Sequence, residues 1–71
     1  MKKEVMEFVV YMIHACSQKW MKSPSAVYQI LGEKDYISGY LIPHYEVLHT
    51  LSTQNVIDDI EEFIGADGGR L

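Results

Sequence analysis

Residues 3–20 read KEVMEFVVYMIHACSQKW, and apolar side chains recur along this stretch at spacings of three and four residues. The recurring positions are Val5, Val9, Met12, Cys16 and Trp20. This period is that of one face of an α-helix, so the stretch predicts a long first helix. Its apolar stripe is wider than one short helix would cover, which requires either deep burial in the domain or contact with a second chain.

Short helices are predicted between residues 23 and 41. Ser23, followed by a proline, is typical of a helix start, and Gly32 is typical of a helix end. Asp35 can cap a third helix that ends at Leu41, because the residue before Pro43 disfavours helical geometry. The chain should therefore change direction at the proline.

A second long helix is predicted over residues 52–64, with Ser52 as its capping residue. Its apolar residues recur with a period near 3.6, so this helix should pack on the first. The stripe comprises Val56, Ile57, Ile60, Phe63 and Ile64. Between Pro43 and this helix, one or two further turns are expected to direct Val47 and Leu48 inward.

The predicted fold class is all-α. We expect a compact small helical domain of two long helices, about 3–20 and 52–64, plus two or three short helices. It should form a single domain over residues 1–71, with residues 65–71 as a frayed tail, since these are glycine-rich and lack periodicity. With 48% apolar and 23% charged residues, the chain has a globular composition that needs neither a metal nor a disulfide to fold.

Cysteine content and charge restrict the compartment and the partners. Cys16 is the only cysteine, which excludes an intrachain disulfide, suits a reducing cytoplasm and predicts a core side chain. No stretch approaches the roughly 20 apolar residues that span a bilayer. Glu4 and Glu7 interrupt a start that otherwise resembles a signal peptide. We therefore expect a soluble cytoplasmic protein, and the net charge of −4 has the wrong sign for nucleic-acid binding.

Two surfaces are candidates for binding. Residues 36–50, YISGYLIPHYEVLHT, hold three of the five tyrosines and two of the three histidines, and residues 58–62 hold four acidic side chains. On one interpretation the tyrosine rings pack on the core and the acidic face keeps the protein soluble. On a second, the tyrosines take part in a protein interface, which they favour, and the acidic face meets a basic partner. On the second interpretation, the residues that contact a partner are Tyr36, Tyr40, Pro43, His44, Tyr45, His49, Asp58, Asp59 and Glu62.

Catalytic and metal sites are not expected. His44 and His49 are five residues apart, whereas histidines that share one helical face to bind a metal are three or four apart. Metal coordination by these histidines would have to be completed by Asp58, Asp59 and Glu62, and nothing in the sequence fixes that geometry. Because no Ser, His and Asp stand in an activating arrangement and no glycine-rich phosphate loop is present, we predict a non-enzyme without cofactors.

Residues 25–41, SAVYQILGEKDYISGYL, resemble a helix-turn-helix, which makes a small DNA-binding regulator the alternative function. The segment in the position of the recognition helix, DYISGYL, contains no Lys, Arg, Asn or Gln to contact a base or a phosphate. DNA binding would then require a dimer that aligns Lys19, Lys22 and Lys34.

The run YLIPHYEVLHTLSTQNVIDDIEEFI, together with EFVVYMIHACSQKW and SPSAVYQIL, resembles a family of small, functionally uncharacterised bacterial proteins. Its core pattern, I-P-x-Y-x-x-L-H-T, is matched from Ile42 to Thr50, although His44 stands where asparagine is familiar. The family has no established activity. Its members are often encoded beside toxin-like or mobile-element genes, so the resemblance implies an accessory or antitoxin-like role.

The function predicted from these observations is non-catalytic protein–protein interaction. The partner is another protein or another copy of this chain, and membrane association is not expected. Binding would use the aromatic corner at residues 36–50 and the acidic face of the last helix.

Overall fold

The first helix organises the fold. A computed structural model describes residues 2–66, and in it helix α1 spans Lys3–Trp20, as predicted. Its inner face buries Val9, Met12 and Cys16. The helix ends where Met21 adopts a left-handed conformation (φ 55°), which lets the Lys22 amide donate to the Ser17 carbonyl at 3.1 Å.

Helix α2 spans Pro24–Glu33, and the Ser23 hydroxyl caps it by accepting a hydrogen bond from the Ala26 amide at 3.1 Å. Gly32 does not end the helix as predicted; it lies within the last turn. The chain reverses instead at Asp35 (φ 54°), whose amide donates to the Gly32 carbonyl at 3.0 Å. Aspartate is one of the few residues besides glycine that tolerates this left-handed conformation.

The third predicted helix is a π-helix, Ile37–Leu41, rather than an α-helix. Its signature is the Ile42 amide, which donates to the Ile37 carbonyl five residues earlier at 3.0 Å. In an α-helix, Pro43 would have no N–H to donate to the carbonyl four residues before it, and its ring would clash there. The wider turn avoids this clash. Ile42 therefore keeps helical dihedral angles (φ −71°, ψ −51°) although it precedes proline.

Two further α-helices complete the described chain. Helix α3, Tyr45–Leu48, is one turn long; it buries Leu48 but leaves Val47 63% exposed, so the prediction that both point inward was wrong for Val47. Leu48 faces the core, and Val47, about 100° away around the same turn, faces solvent.

Helix α4 spans Thr53–Ala66, two residues beyond the predicted end, and the Ser52 hydroxyl caps it through the Asn55 amide at 3.1 Å. Four of the five predicted stripe residues are buried, while Phe63 is 36% exposed. The rest of the predicted frayed tail, residues 67–71, lies outside the described residues.

The five helical segments enclose one hydrophobic core, which confirms the all-α prediction; residues 2–66 contain no strand. Helix α1 packs against both α2 and α4. Polar links join α1 to α4 at two places along their length. The Tyr11 hydroxyl lies 2.6 Å from the Thr53 hydroxyl, and Glu61 Oε2 accepts a hydrogen bond from the Trp20 indole N–H at 2.8 Å and lies 3.3 Å from the Lys19 ammonium. Since both sequence positions increase from one link to the next, the two helices run in the same direction.

We expect Glu61→Ala to lower the free energy of unfolding by about 1–2 kcal/mol. The substitution removes the carboxylate that binds the Trp20 indole and that lies 3.3 Å from the Lys19 ammonium. Urea denaturation followed by the fluorescence of the single tryptophan measures both the stability and the change around the indole. Glu62→Ala, one residue later on an exposed position, should change stability by no more than about 0.5 kcal/mol. Equal effects of the two variants would contradict this role of Glu61.

Cys16 should react slowly with iodoacetamide in the native protein. Its side chain is fully buried, and burial, with a smaller contribution from Glu61, raises the pKa of the thiol from 9.0 to about 11. A rise of this size reduces the thiolate fraction at pH 8 by about a hundredfold, and only the thiolate reacts. Mass spectrometry of alkylation in buffer and in urea should therefore show much faster labelling of the unfolded chain; equal rates would mean that the core opens readily around Cys16.

Candidate functional site

The π-helix and α4 face each other across an open depression of about 320 Å³, which we call the notch. It is lined by Tyr36, Tyr40, Asp59, Glu62 and Phe63. Four of these five were predicted from sequence as partner-contacting residues, two on the aromatic corner and two on the acidic face. The structure thus brings parts of the two predicted surfaces together.

Aromatic rings form one side of the notch. The Tyr36 ring centroid lies 4.9 Å from that of Tyr40 and 4.9 Å from that of Phe63. Tyr40 also lies 4.9 Å from the His44 ring, which extends the aromatic surface toward the turn after the π-helix. These tilted arrangements are favourable for aromatic pairs.

Tyr36 is a core residue as well as part of the notch. Its side chain is only 1% exposed, and its buried hydroxyl has no hydrogen-bond partner among residues 2–66. Burial is the main cause that raises the pKa of this phenol above its usual range, with smaller contributions from Tyr40, Asp59 and Cys16. The hydroxyl is therefore neutral at physiological pH and has unused hydrogen-bonding capacity.

The acidic residues of α4 divide into two pairs. Asp58 accepts a hydrogen bond from the Gln54 amide at 2.8 Å, and Glu61 binds Trp20 and Lys19. Asp59 and Glu62 line the notch, and within residues 2–66 neither carboxylate has a hydrogen-bond or ion-pair partner. The unpartnered carboxylates are thus the two that stand beside the aromatic rings.

Two other predicted residues, Tyr45 and His49, form a second group beside the start of α1. The Tyr45 and His49 rings stack with centroids 4.6 Å apart, and Tyr45 meets Phe8 edge-on at 5.4 Å. Nδ1 of His49 lies 2.9 Å from the Tyr45 carbonyl oxygen. Tyr45 does not line the notch but another depression, with Glu4 and other residues near the start of the chain. The structure therefore does not unite all nine predicted residues in one site.

Phe63 is the residue of the notch that sequence reasoning missed. It fits the period of the α4 core stripe, but it lies at the edge of that stripe and remains 36% exposed. Its spacing in the sequence could have identified it as a site residue. Asp59, Glu62 and Phe63 stand at i, i+3 and i+4 and so share one helical face.

In the part of the chain that is described, no three His, Cys, Asp or Glu side chains are grouped closely enough to hold a metal ion. Among residues 2–66, no helix combines the length and the apolar character that crossing a membrane requires.

Tyr36→Phe should leave the protein as stable as the wild type or raise its free energy of unfolding by about 1 kcal/mol, because an unpartnered buried hydroxyl costs free energy. Tyr40→Phe, which removes a hydroxyl from a half-buried ring of the same notch, serves as the matched control and should have little effect. Urea denaturation compares the three proteins. A loss of more than about 1 kcal/mol in Tyr36→Phe would show that the hydroxyl has a stabilising partner.

Comparison with known proteins places the chain in a family. The profile of a family described as "Protein of unknown function (DUF3791)" matches residues 7–67, which is most of the 71-residue chain. No curated protein and no solved structure shows a significant match. The expectation of an uncharacterised family is thereby confirmed, and the protein belongs to the DUF3791 family of proteins of unknown function.

Proposed function

We propose that this domain is a non-catalytic protein-binding module whose contact surface is centred on the notch. The observation that carries the proposal is the position of Asp59 and Glu62. Both carboxylates stand without a partner in the described chain, beside the exposed edges of Tyr40 and Phe63. Aromatic rings on an open surface are typical of a protein interface, and unpaired carboxylates beside them can pair with a cationic group of a partner.

The lack of partners at these two charges supports a binding role. Asp59 lies in the middle of α4 and Glu62 in its C-terminal half. Glu61, between them, contacts Trp20 and Lys19 of α1, whereas Asp59 and Glu62 have no such compensation among residues 2–66. Contact with a partner would provide it.

The cellular role proposed for this module is that of an accessory or antitoxin-like protein in the cytoplasm. The role follows from the resemblance of the sequence to small bacterial proteins encoded beside toxin-like genes, and the compartment from its single cysteine. The partner is a second protein or another copy of the chain.

DNA binding, the alternative function, has less support. The segment in the position of a recognition helix is a five-residue π-helix preceded by the buried Tyr36 and ending at the buried Leu41. Of the lysines that a DNA-binding dimer would need, Lys19 is paired with Glu61 at 3.3 Å. Tyr36 and Leu41 are therefore part of the core, and Lys19 takes part in the contact between α1 and α4.

The proposal is tested by affinity capture from lysate of the source organism, with the solution mass of the free protein measured by light scattering. The bait proteins are the wild type, the double variant Asp59→Asn/Glu62→Gln and the control Asp58→Asn. We expect the wild type and the control to capture one stoichiometric protein, and the double variant to lose at least about 80–90% of it, which corresponds to about 1–1.4 kcal/mol of binding free energy.

Circular dichroism should show that all three baits remain folded, since both notch carboxylates are exposed. Equal capture by the double variant would contradict a role for the notch. A homodimer that captures no other protein, and that persists in the double variant, would indicate self-assembly through another surface.

A further inference from the structure

We infer that the notch binds the guanidinium group of an arginine side chain on a partner protein. The inference rests on the proposed function, which it refines by naming the chemistry that the partner presents. Its basis is the combination in one notch of two unpaired carboxylates, three aromatic rings and a buried polar atom without a partner.

Charge selects a cationic group. Asp59 and Glu62 are three residues apart on α4, so their carboxylates lie on the same helical face and both line the notch. No cationic side chain of residues 2–66 pairs with either of them. A cation that enters the notch therefore meets two negative charges that are not already paired within residues 2–66.

The aromatic rings favour arginine over lysine. The buried Tyr36 ring has its centroid 4.9 Å from those of Tyr40 and Phe63, whose rings remain partly exposed. A planar guanidinium stacks on an exposed aromatic ring and still donates in its own plane to carboxylates, whereas an ammonium group acts as a compact, strongly hydrated point charge. Partly exposed rings beside two acceptors match the flat, multidentate group.

The Tyr36 hydroxyl is the independent observation that points to a polar ligand. It is buried, lacks a hydrogen-bond partner in residues 2–66 and belongs to a residue that lines the notch. Buried polar atoms without partners are uncommon, and an unfilled ligand contact is one explanation of them. A neutral hydroxyl oxygen accepts hydrogen bonds, and two bidentate carboxylate contacts would use four of the five N–H groups of a guanidinium, which leaves one to donate to the hydroxyl.

The size of the notch suits one side chain. Its volume of about 320 Å³ is at the small end of the range of roughly 300–1,000 Å³ for ligand pockets, and Tyr40 and Phe63 remain partly exposed at its rim. The chain also carries one arginine of its own, Arg70, which lies outside the described residues. The test must therefore separate a partner's arginine from this one.

The experiment is a titration of the ¹⁵N-labelled full chain with the capped peptide acetyl-Gly-Arg-Gly-amide, followed by NMR at constant ionic strength. Matched peptides carry lysine or citrulline, which is the neutral analogue of arginine, in place of the arginine. We expect the arginine peptide to shift the resonances of Tyr40, Asp59, Glu62 and Phe63 with a dissociation constant of about 1–10 mM. The lysine peptide should bind several-fold more weakly, and the citrulline peptide should not saturate.

Variants locate the binding. Asp59→Asn and Glu62→Gln should each weaken binding of the arginine peptide about twofold to fivefold, whereas Asp58→Asn, which makes the same charge change on the adjacent residue, should not. Tyr36→Phe should weaken it while leaving the fold intact. Equal binding of the arginine and citrulline peptides, or equal effects of Asp58→Asn and Asp59→Asn, would overturn the inference.

The variant Arg70→Gln tests whether the chain's own arginine occupies the notch. An affinity for the arginine peptide unchanged by Arg70→Gln supports a partner as the source of the arginine, whereas a gain of more than about threefold would identify Arg70 as the occupant and overturn that assignment.

If a protein is captured through the notch but the citrulline peptide binds as well as the arginine peptide, the inference fails and the proposed function stands. If the arginine peptide binds selectively but no protein is captured and no self-association occurs, the proposed function fails, and with it the assignment of the arginine to a partner protein.

Discussion

Cys16 lies in the middle of the α1 stripe and is fully buried, as are Val27 of α2, Leu41 of the π-helix and Ile60 of α4. Every other helical segment of residues 2–66 contributes buried side chains to the cluster that covers this stripe. A chain of this length can enclose only one core, and apolar burial is the main favourable term in its folding. The broad apolar face of α1 is therefore the constraint to which the other elements conform, and covering it requires no second chain along its central positions.

Pro43 is the second constraint, because an α-helix continued into it would clash with its ring, and the π-helix that precedes it avoids this clash. This turn keeps Tyr36 and Tyr40 close enough for their rings to contact while Leu41 enters the core. One side of the notch is thus built from the π-helix and the tyrosine that precedes it. A tyrosine that packs in the core and also lines a surface depression gives the site a rigid base, since moving that ring would disturb the packing around it.

The acidic face of α4 shows how packing assigns different roles to similar residues. Glu61 is close enough to α1 to bind Trp20, while Asp59 and Glu62 face the notch. Glu61 is two positions from Asp59 and one from Glu62 along the helix. Each position turns the side chain about 100° around the helix axis, so Glu61 faces a different neighbour. The neighbour on each side of α4, rather than the residue type, decides whether a charge stabilises the fold or stays available for a partner.

The sequence by itself determined the helices and most of the core. The bounds of α1, the caps at Ser23 and Ser52 and the burial of the α4 stripe depend on residues within a few positions of one another, which periodicity and capping rules describe well. Residues of both sides of the notch were also predicted, but as parts of two separate surfaces. Only the tertiary structure decided that Val47 points outward, that Phe63 lies at the rim and that the turn before Pro43 is a π-helix.

The tertiary structure also decided which carboxylates have partners. The contact between Trp20 and Glu61 joins residues 41 positions apart. Such a pairing depends on how whole helices pack against one another over the apolar stripe of α1, and no local sequence pattern encodes it.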